Sequence, residues 1–427
     1  MFSSTSRSVR GHARRRDGAR SNPGRFDLVR RGLGRRDVAL ALAALAIPLA
    51  ACATGQSASS QQPTAQRPAA RADTLQPQER QQQRRQRQQV VMDSARAREL
   101  YVSKDPADMP TCRCERDMEE KRATDSTFAA RSEGVIEFRK VTYKSRIDGL
   151  EIPAYLFAPL QKRGPKGHAA MVWVHGGVHG DMTADYFPFI REAVERGYVI
   201  ITPDYRGSTG HGEALYKAID YGGKEIDDVI SAVDYLATLP YVDTTRLGIM
   251  GWSHGGFITA HVLFRGDDQP FKSGAAIVPV TNLVFRLSYK GPGYQRYYAT
   301  EPGIGGLPFE AREEYIKRSP VFHAANLTVP ILVHVATNDT DVDFVEDQQM
   351  VYTLRALKPD LAETKIYVDP APGPHGEGHS FSRRVNPVTL EREDSPAQID
   401  SWNRTWAFFE RTLHPEQGAA STTDGRK

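Results

Sequence analysis

Six short runs in this chain are apolar at nearly every position: residues 169–174, 198–202, 247–251, 275–280, 331–336 and 366–368. A strand with one wet face alternates, so a strand that is apolar throughout has to be covered on both faces. Helical patterns fall between the runs. The plainest is 225–239, where Ile226, Val229, Ile230, Val233 and Leu236 recur at spacings of three and four. Strand alternating with helix implies a parallel sheet with helices on both sides. Residues 135–144 and 150–157, joined through Ile147-Asp148-Gly149, read as an antiparallel hairpin placed before it. Two leading strands and six central ones make an α/β chain with an eight-stranded, mostly parallel sheet. That is the strand count of the α/β-hydrolase fold, although a doubly wound nucleotide-binding sheet has a similar rhythm.

The motifs at the strand ends decide between the two. No GxGxxG follows an early strand, which removes the dinucleotide reading. Gly251-Trp252-Ser253-His254-Gly255-Gly256 instead sits where a buried strand ends and a helix begins. A nucleophile elbow needs that placement: the turn is so sharp that Gly251 and Gly255 must lack a Cβ, and Ser253 is held above the sheet.

A serine hydroxyl near neutral pH is a weak nucleophile and needs a base that is itself oriented by a carboxylate. The fifth of the central runs leads into a segment offering Asp339 and Asp341, and the sixth leads into one offering His375 and His379. Serine, acid and histidine therefore follow in the order this fold requires. Residues 174–180, Val-His-Gly-Gly-Val-His-Gly, place glycines after the third strand, where backbone N–H groups can meet a developing oxyanion. The expected donors are the amide of His254 and that of Gly176 or Gly177. His175, His179 and His211 do not form a helical HxxxH or a Cys-His pairing, so no metal is expected, and no organic cofactor.

Composition excludes other classes. With 40% apolar and 25% charged residues, Gly 35 and Pro 27, the chain is neither collagen-like, nor a coiled coil, nor a multi-spanning membrane protein. The net charge of +4 is unevenly spread: residues 1–37 contribute +8 and residues 52–90 contribute +4, which leaves −8 for 91–427. The basic excess sits outside the body, so no nucleic-acid partner is expected.

Residues 38–51 form an uncharged run too short to span a bilayer but long enough for the core of an export signal. It ends in Leu49-Ala50-Ala51-Cys52, which resembles the lipobox of bacterial lipoproteins and makes Cys52 the expected lipid attachment site; Arg35-Arg36 resembles a twin-arginine signal. The expected organisation is a signal peptide over 1–51 and a disordered Gln/Arg-rich tether over 52–90. A polar arm over 91–133, a hydrolase domain over 134–414 and a disordered tail over 415–427 follow. Cys112 and Cys114 in the arm read as a minor disulfide or free thiols. The expected location is the cell envelope or periplasm, with the protein held to a membrane by its lipid.

Several stretches together resemble the prolyl oligopeptidase family of serine peptidases. They are residues 204–212 (Asp-Tyr-Arg-Gly-Ser-Thr-Gly-His-Gly), 222–229 and 241–246, Trp252 beside Ser253, Arg318-Ser319-Pro320 and Gly376-Glu377-Gly378-His379. The resemblance covers about 134–414. It implies a Ser253, Asp339 and His379 triad, with Asp341 as runner-up acid and His379 preferred over His375. It also implies a substrate pocket walled by Val280, Leu283 and Val342, with His254 where the family usually has Tyr. Members usually carry a β-propeller before the hydrolase domain, whereas residues 1–133 read only as leader, tether and arm. Arg286 and Lys290 fall at positions that are aromatic in proline-selective members, which suggests a preference for an acidic side chain instead. The segment 289–298, with Tyr294, Tyr297 and Tyr298, reads as a lid or a subunit contact. The function expected is cleavage of small peptides through an acyl-enzyme. A carboxylesterase acting on ester substrates is the alternative, and an inactive envelope binding protein is a more distant one; the oligomeric state is not legible.

Overall fold

The computed structural model describes residues 94–373 and 378–416. The leader with Cys52, the tether, His375 and residues 417–427 lie outside the described residues. Among those described, no helix is long and apolar enough to cross a membrane.

Eight strands form one sheet: β1 (Glu137–Lys144), β2 (Glu151–Ala158), β3 (His168–Val174), β4 (Val199–Pro203), β5 (Val242–Trp252), β6 (Ser273–Ile277), β7 (Ile331–Ala336) and β8 (Ala362–Tyr367). Their order is β1-β2-β4-β3-β5-β6-β7-β8. β1 and β2 pair antiparallel, as do β2 and β4, and every later pair is parallel. This is the α/β-hydrolase sheet. β3 shows why its run is apolar throughout: Ala170, Val172 and Val174 join one core cluster while Ala169, Met171 and Trp173 join the other. Successive side chains leave a strand on opposite faces, so both faces of β3 are covered.

Helix α1 (Cys114–Ser132) precedes the sheet, followed along the chain by α2 (Phe187–Glu195), α3 (Lys224–Ala237), α4 (His254–Leu263), α5 (Leu283–Tyr289), α6 (Pro292–Thr300), α7 (Phe344–Leu357) and α8 (Pro396–Leu413). α3 covers one face with Ile226, Val229, Ile230, Val233 and Leu236, and α8 covers the other with Trp402, Trp406, Phe408 and Phe409. The segment expected as a polar arm packs as part of the same body. Phe128 of α1 is fully buried, with its ring 5.1–5.9 Å from those of Phe138, Tyr155, Phe157 and Phe187. Lys121, also on α1, is buried among carboxylates. Cys112 and Cys114 are joined in a disulfide at the start of that helix, with Cα atoms 5.0 Å apart.

Candidate active site

Ser253 stands between β5 and α4 with φ 55° and ψ −118°, a left-handed conformation that costs a non-glycine residue about 1–3 kcal/mol. The surroundings over-determine it. Its N–H donates to the Ile277 carbonyl at 3.0 Å, and its carbonyl accepts from Phe257 N at 2.9 Å. The flanking glycines are steric requirements. A Cβ on Gly251 would stand 2.5 Å from the Gly255 carbonyl carbon, and one on Gly255 would stand 2.7 Å from the His175 carbonyl oxygen and closer still to that of Val174. The strand-to-helix turn of the motif is thus built from contacts that only glycine permits.

The loops after β7 and β8 bring Asp339, Asp341 and His379 together. His379 Nδ1 donates to Asp339 Oδ2 at 2.8 Å and lies 3.0 Å from Oδ1. Asp339 is fixed in turn, because its Oδ1 accepts the amides of Asp341 and Val342, both at 2.9 Å. Asp341 reaches the other ring nitrogen, with Oδ2 3.4 Å from His379 Nε2, while its Oδ1 receives Lys290 Nζ. Burial alone would raise the Asp341 carboxyl, but the charges of His379, Arg286 and Lys290 hold it down at about 2. The two acids of the loop are separated by geometry: one binds Nδ1 and the other faces Nε2.

Ser253 and His379 open on one cavity of about 430 Å³, lined also by Gly176, Gly177, Asp341 and Arg383. A Cβ on Gly176 would lie 3.5 Å from Ser253 Cβ, so the glycine loop runs directly beside Ser253. Gly176 N donates to the Tyr186 hydroxyl at 3.1 Å. Gly177 turns the chain with φ +79°. His254 opens α4, where the first amides of a helix have no intrahelical acceptor. Its side chain is 2% exposed and packs against Tyr221 and Phe257, with Nε2 3.6 Å from Glu225 Oε1. Burial and the charge of Arg286 push that imidazole down to about 3.

The pocket expected from the family resemblance is arranged differently. Val280, Leu283 and Val342 are 2%, 0% and 0% exposed and belong to the sheet core behind Ser253 and Asp339; they do not line the cavity. Arg286 is buried beside them, where it donates to Tyr289 and to the Asp341 carbonyl and lies 3.5 Å from Glu346. With Lys290 on Asp341 and Arg286 between Asp341 and Glu346, both cations meet carboxylates, which removes the basis for an acidic-side-chain preference at that wall. Tyr298 is fully buried against Tyr221 and Tyr315, so the 289–298 segment is partly core. The sequence reading missed Tyr186, Arg383 and Lys121. None lies in a recognisable motif, and each is placed by the packing of α1, α2 or the loop after His379.

The other histidines near the site have filled partners. His175 Nδ1 donates to the Gly176 carbonyl at 3.0 Å and Nε2 faces Ser208 Oγ at 2.9 Å. His179 Nδ1 donates to the Gly207 carbonyl at 2.8 Å, and its ring stacks on Tyr216. His211 Nε2 donates to Asp204 at 2.8 Å.

Known peptidases resemble this chain over much of its length. The chain is 29% identical over 287 residues to the uncharacterized peptidase YuxL of Bacillus subtilis (strain 168), covering 66% of this chain and 41% of that one. It is 27% identical to the acylamino-acid-releasing enzyme of Arabidopsis thaliana, over 51% of this chain and 28% of that one. The chain thus spans less than half the length of these curated relatives. Among solved structures, an acylaminoacyl peptidase in complex with Z-Gly-Gly-Phe-chloromethyl ketone superposes with a TM-score of 0.55 at 25% identity, over 67% of this chain and 43% of that one. The family model of the prolyl oligopeptidases matches residues 186–411, more than half of the sequence, and the chain belongs to the prolyl oligopeptidase family.

Proposed function

We propose that this protein is a serine peptidase that cleaves small peptides through an acyl-enzyme. The observation that carries the reading is Ser253, strained on its elbow and opening on the same cavity as His379, whose Nδ1 is tied to Asp339. Ser253 Oγ attacks the carbonyl while His379 Nε2 takes its proton. Asp339 holds the tautomer with hydrogen on Nδ1 and stabilises the imidazolium that forms. The oxyanion is received by the amide of His254 and, because Gly176 N is engaged by Tyr186, by that of Gly177. His379 then protonates the leaving amine, and water repeats the sequence on the acyl-enzyme.

In the same proposal the protein is exported and held to the membrane by a lipid on Cys52, a reading supported by the uncharged run and lipobox-like end of residues 38–52. Metabolic labelling with a fatty acid tests this, and a Cys52→Ala variant that still takes up label would contradict it.

Turnover of aminoacyl and N-blocked peptide anilides, set beside short-chain phenyl esters with a Ser253→Ala control, tests the peptidase reading. Ser253-dependent anilide cleavage supports it. Ester turnover without amide cleavage replaces it with a carboxylesterase on the same fold.

A further inference from the structure

The cavity that holds Ser253 and His379 carries three other charged side chains, Asp181, Asp341 and Arg383. Two of the three are neutralised. Asp181 is 3.1 Å from Lys121 Nζ and accepts from the Thr209 hydroxyl. Asp341 is held by Lys290 and Arg286. Arg383 has a charged partner only at a distance, in Asp185. Among the described residues its guanidinium makes no hydrogen bond; Nε is buried without a partner, and the carboxylate of Asp185 stands 3.8 Å from a terminal nitrogen. Only 11% of the side chain is exposed. The guanidinium carbon lies 4.4 Å from the centre of the Tyr186 ring and 5.7 Å from that of Trp252, a cation–π arrangement that steadies the group without using its N–H donors. A mostly desolvated cation with free donors is costly to keep unless something accepts from it. The acceptor that fits a planar fork of N–H groups best is a carboxylate.

The position of Arg383 indicates which part of a substrate it meets. It lies on the loop that carries His379, and its own N–H donates to the Ser380 carbonyl at 2.9 Å. It packs over Trp252, next to the nucleophile, and over Tyr186, whose hydroxyl receives the amide of the glycine loop. His379 must deliver a proton to the leaving nitrogen, so the departing fragment passes along this loop, while Asp341 and its cations border the α5 side. We propose that Arg383 binds the free C-terminal carboxylate of a short peptide on the leaving-group side of the scissile bond. The assignment rests on the peptidase reading and adds to it a preference for substrates that end close to the cleavage point.

The test uses the full chain and reads p-nitrophenyl acetate turnover in the presence of N-acetyl-Ala-Ala-Ala, either as the free acid or as the C-terminal amide, together with hydrolysis of the two peptides themselves. The parent is expected to bind the acid about ten- to a hundredfold more tightly than the amide, the value of a charge-assisted hydrogen bond in a partly dry site. In Arg383→Gln the ratio falls to about one, and in Arg383→Lys it is intermediate. Equal inhibition by acid and amide in the parent overturns the proposal. So does a ratio that survives in Arg383→Gln, and so does an equal loss of affinity for both peptides there, which would mark the residue as structural. Should Arg383→Gln fail to fold, the parent and Arg383→Lys ratios decide. If neither peptide is cleaved while the ester is, the peptidase reading fails separately, and the inhibition ratio still decides for or against Arg383.

Discussion

Two histidine–carboxylate groups flank Ser253, and they are built from the same residue types to opposite ends. On one side His379 is held at Nδ1 by Asp339 and turns Nε2 to the cavity. On the other, His175 and His211 belong to a network in which Lys121 pairs with Asp204 and Asp181, and Asp204 receives His211. Both ring nitrogens of His175 are occupied, and burial lowers its pKa. Burial also opposes the charge of Lys121, but Asp204 and Asp181 outweigh it and raise the pKa of the amine. One group leaves a ring nitrogen facing the cavity, and the other is closed and holds the glycine loop. The two groups differ in the ring nitrogen that makes no hydrogen bond among the described residues, Nε2 of His379, which has only Asp341 Oδ2 at 3.4 Å beside it.

The comparison can be broken most forcefully at the nucleophile. Ser253→Ala should lower kcat by at least about 10⁴-fold with little change in the far-ultraviolet circular dichroism. Next comes the orienting acid: Asp339→Asn should cost about 10³- to 10⁴-fold in kcat, because an amide no longer fixes the tautomer with hydrogen on Nδ1. In the closed network, Lys121→Met leaves Asp204 buried without its cation and should cost about 3–5 kcal/mol in urea unfolding. It should also slow turnover, because Lys121 Nζ donates to the Met182 carbonyl in the loop beside the cavity. An unchanged unfolding midpoint would remove the claim that α1 helps build the site.

A smaller effect concerns pH. Burial pushes the Glu225 carboxyl up to about 8, although the Gly222 and Gly223 amides pull it down. Its folded pKa lies above the unfolded one, so its contribution is fully present below about 4.5 and is lost as pH rises through about 8. Glu225→Gln should therefore gain on the parent as pH is raised from 5 to 8, on the order of 1–4 kcal/mol in unfolding free energy. A difference that stays flat over that range would contradict the assignment. The smallest effect is expected at the second acid of the catalytic loop. Asp341→Asn should change kcat by less than about tenfold, since Asp341 does not hold Nδ1. A loss as large as that of Asp339→Asn would erase the distinction between the two carboxylates.

What could be read from the chain was set by local requirements. The buried strands announce themselves because both faces of β3, β5 and β7 are covered, and the elbow does so because Gly251 and Gly255 admit no Cβ. The helix expected over 225–239 is observed as Lys224–Ala237, shorter at its end where Thr238 and Leu239 turn toward β5. α1 was not legible, because only four of its nineteen residues are buried and Lys121 among them is polar, so no apolar stripe forms. The engagement of Gly176 by Tyr186, the pairing of Arg286 and Lys290 with acids, and the Arg383 guanidinium, with Asp185 only 3.8 Å away and Nε without a partner, all depend on how separate segments pack. Spacing along the chain does not carry that information.

The central claim is that Ser253 is activated by His379, itself oriented by Asp339. Labelling the full chain with a fluorophosphonate probe and locating the adduct by peptide mass spectrometry tests it most directly. The account predicts one adduct, on Ser253, that is absent in Ser253→Ala and forms much more slowly in His379→Ala and Asp339→Asn. An adduct on another residue, or labelling of Ser253 at an undiminished rate without His379, would contradict it.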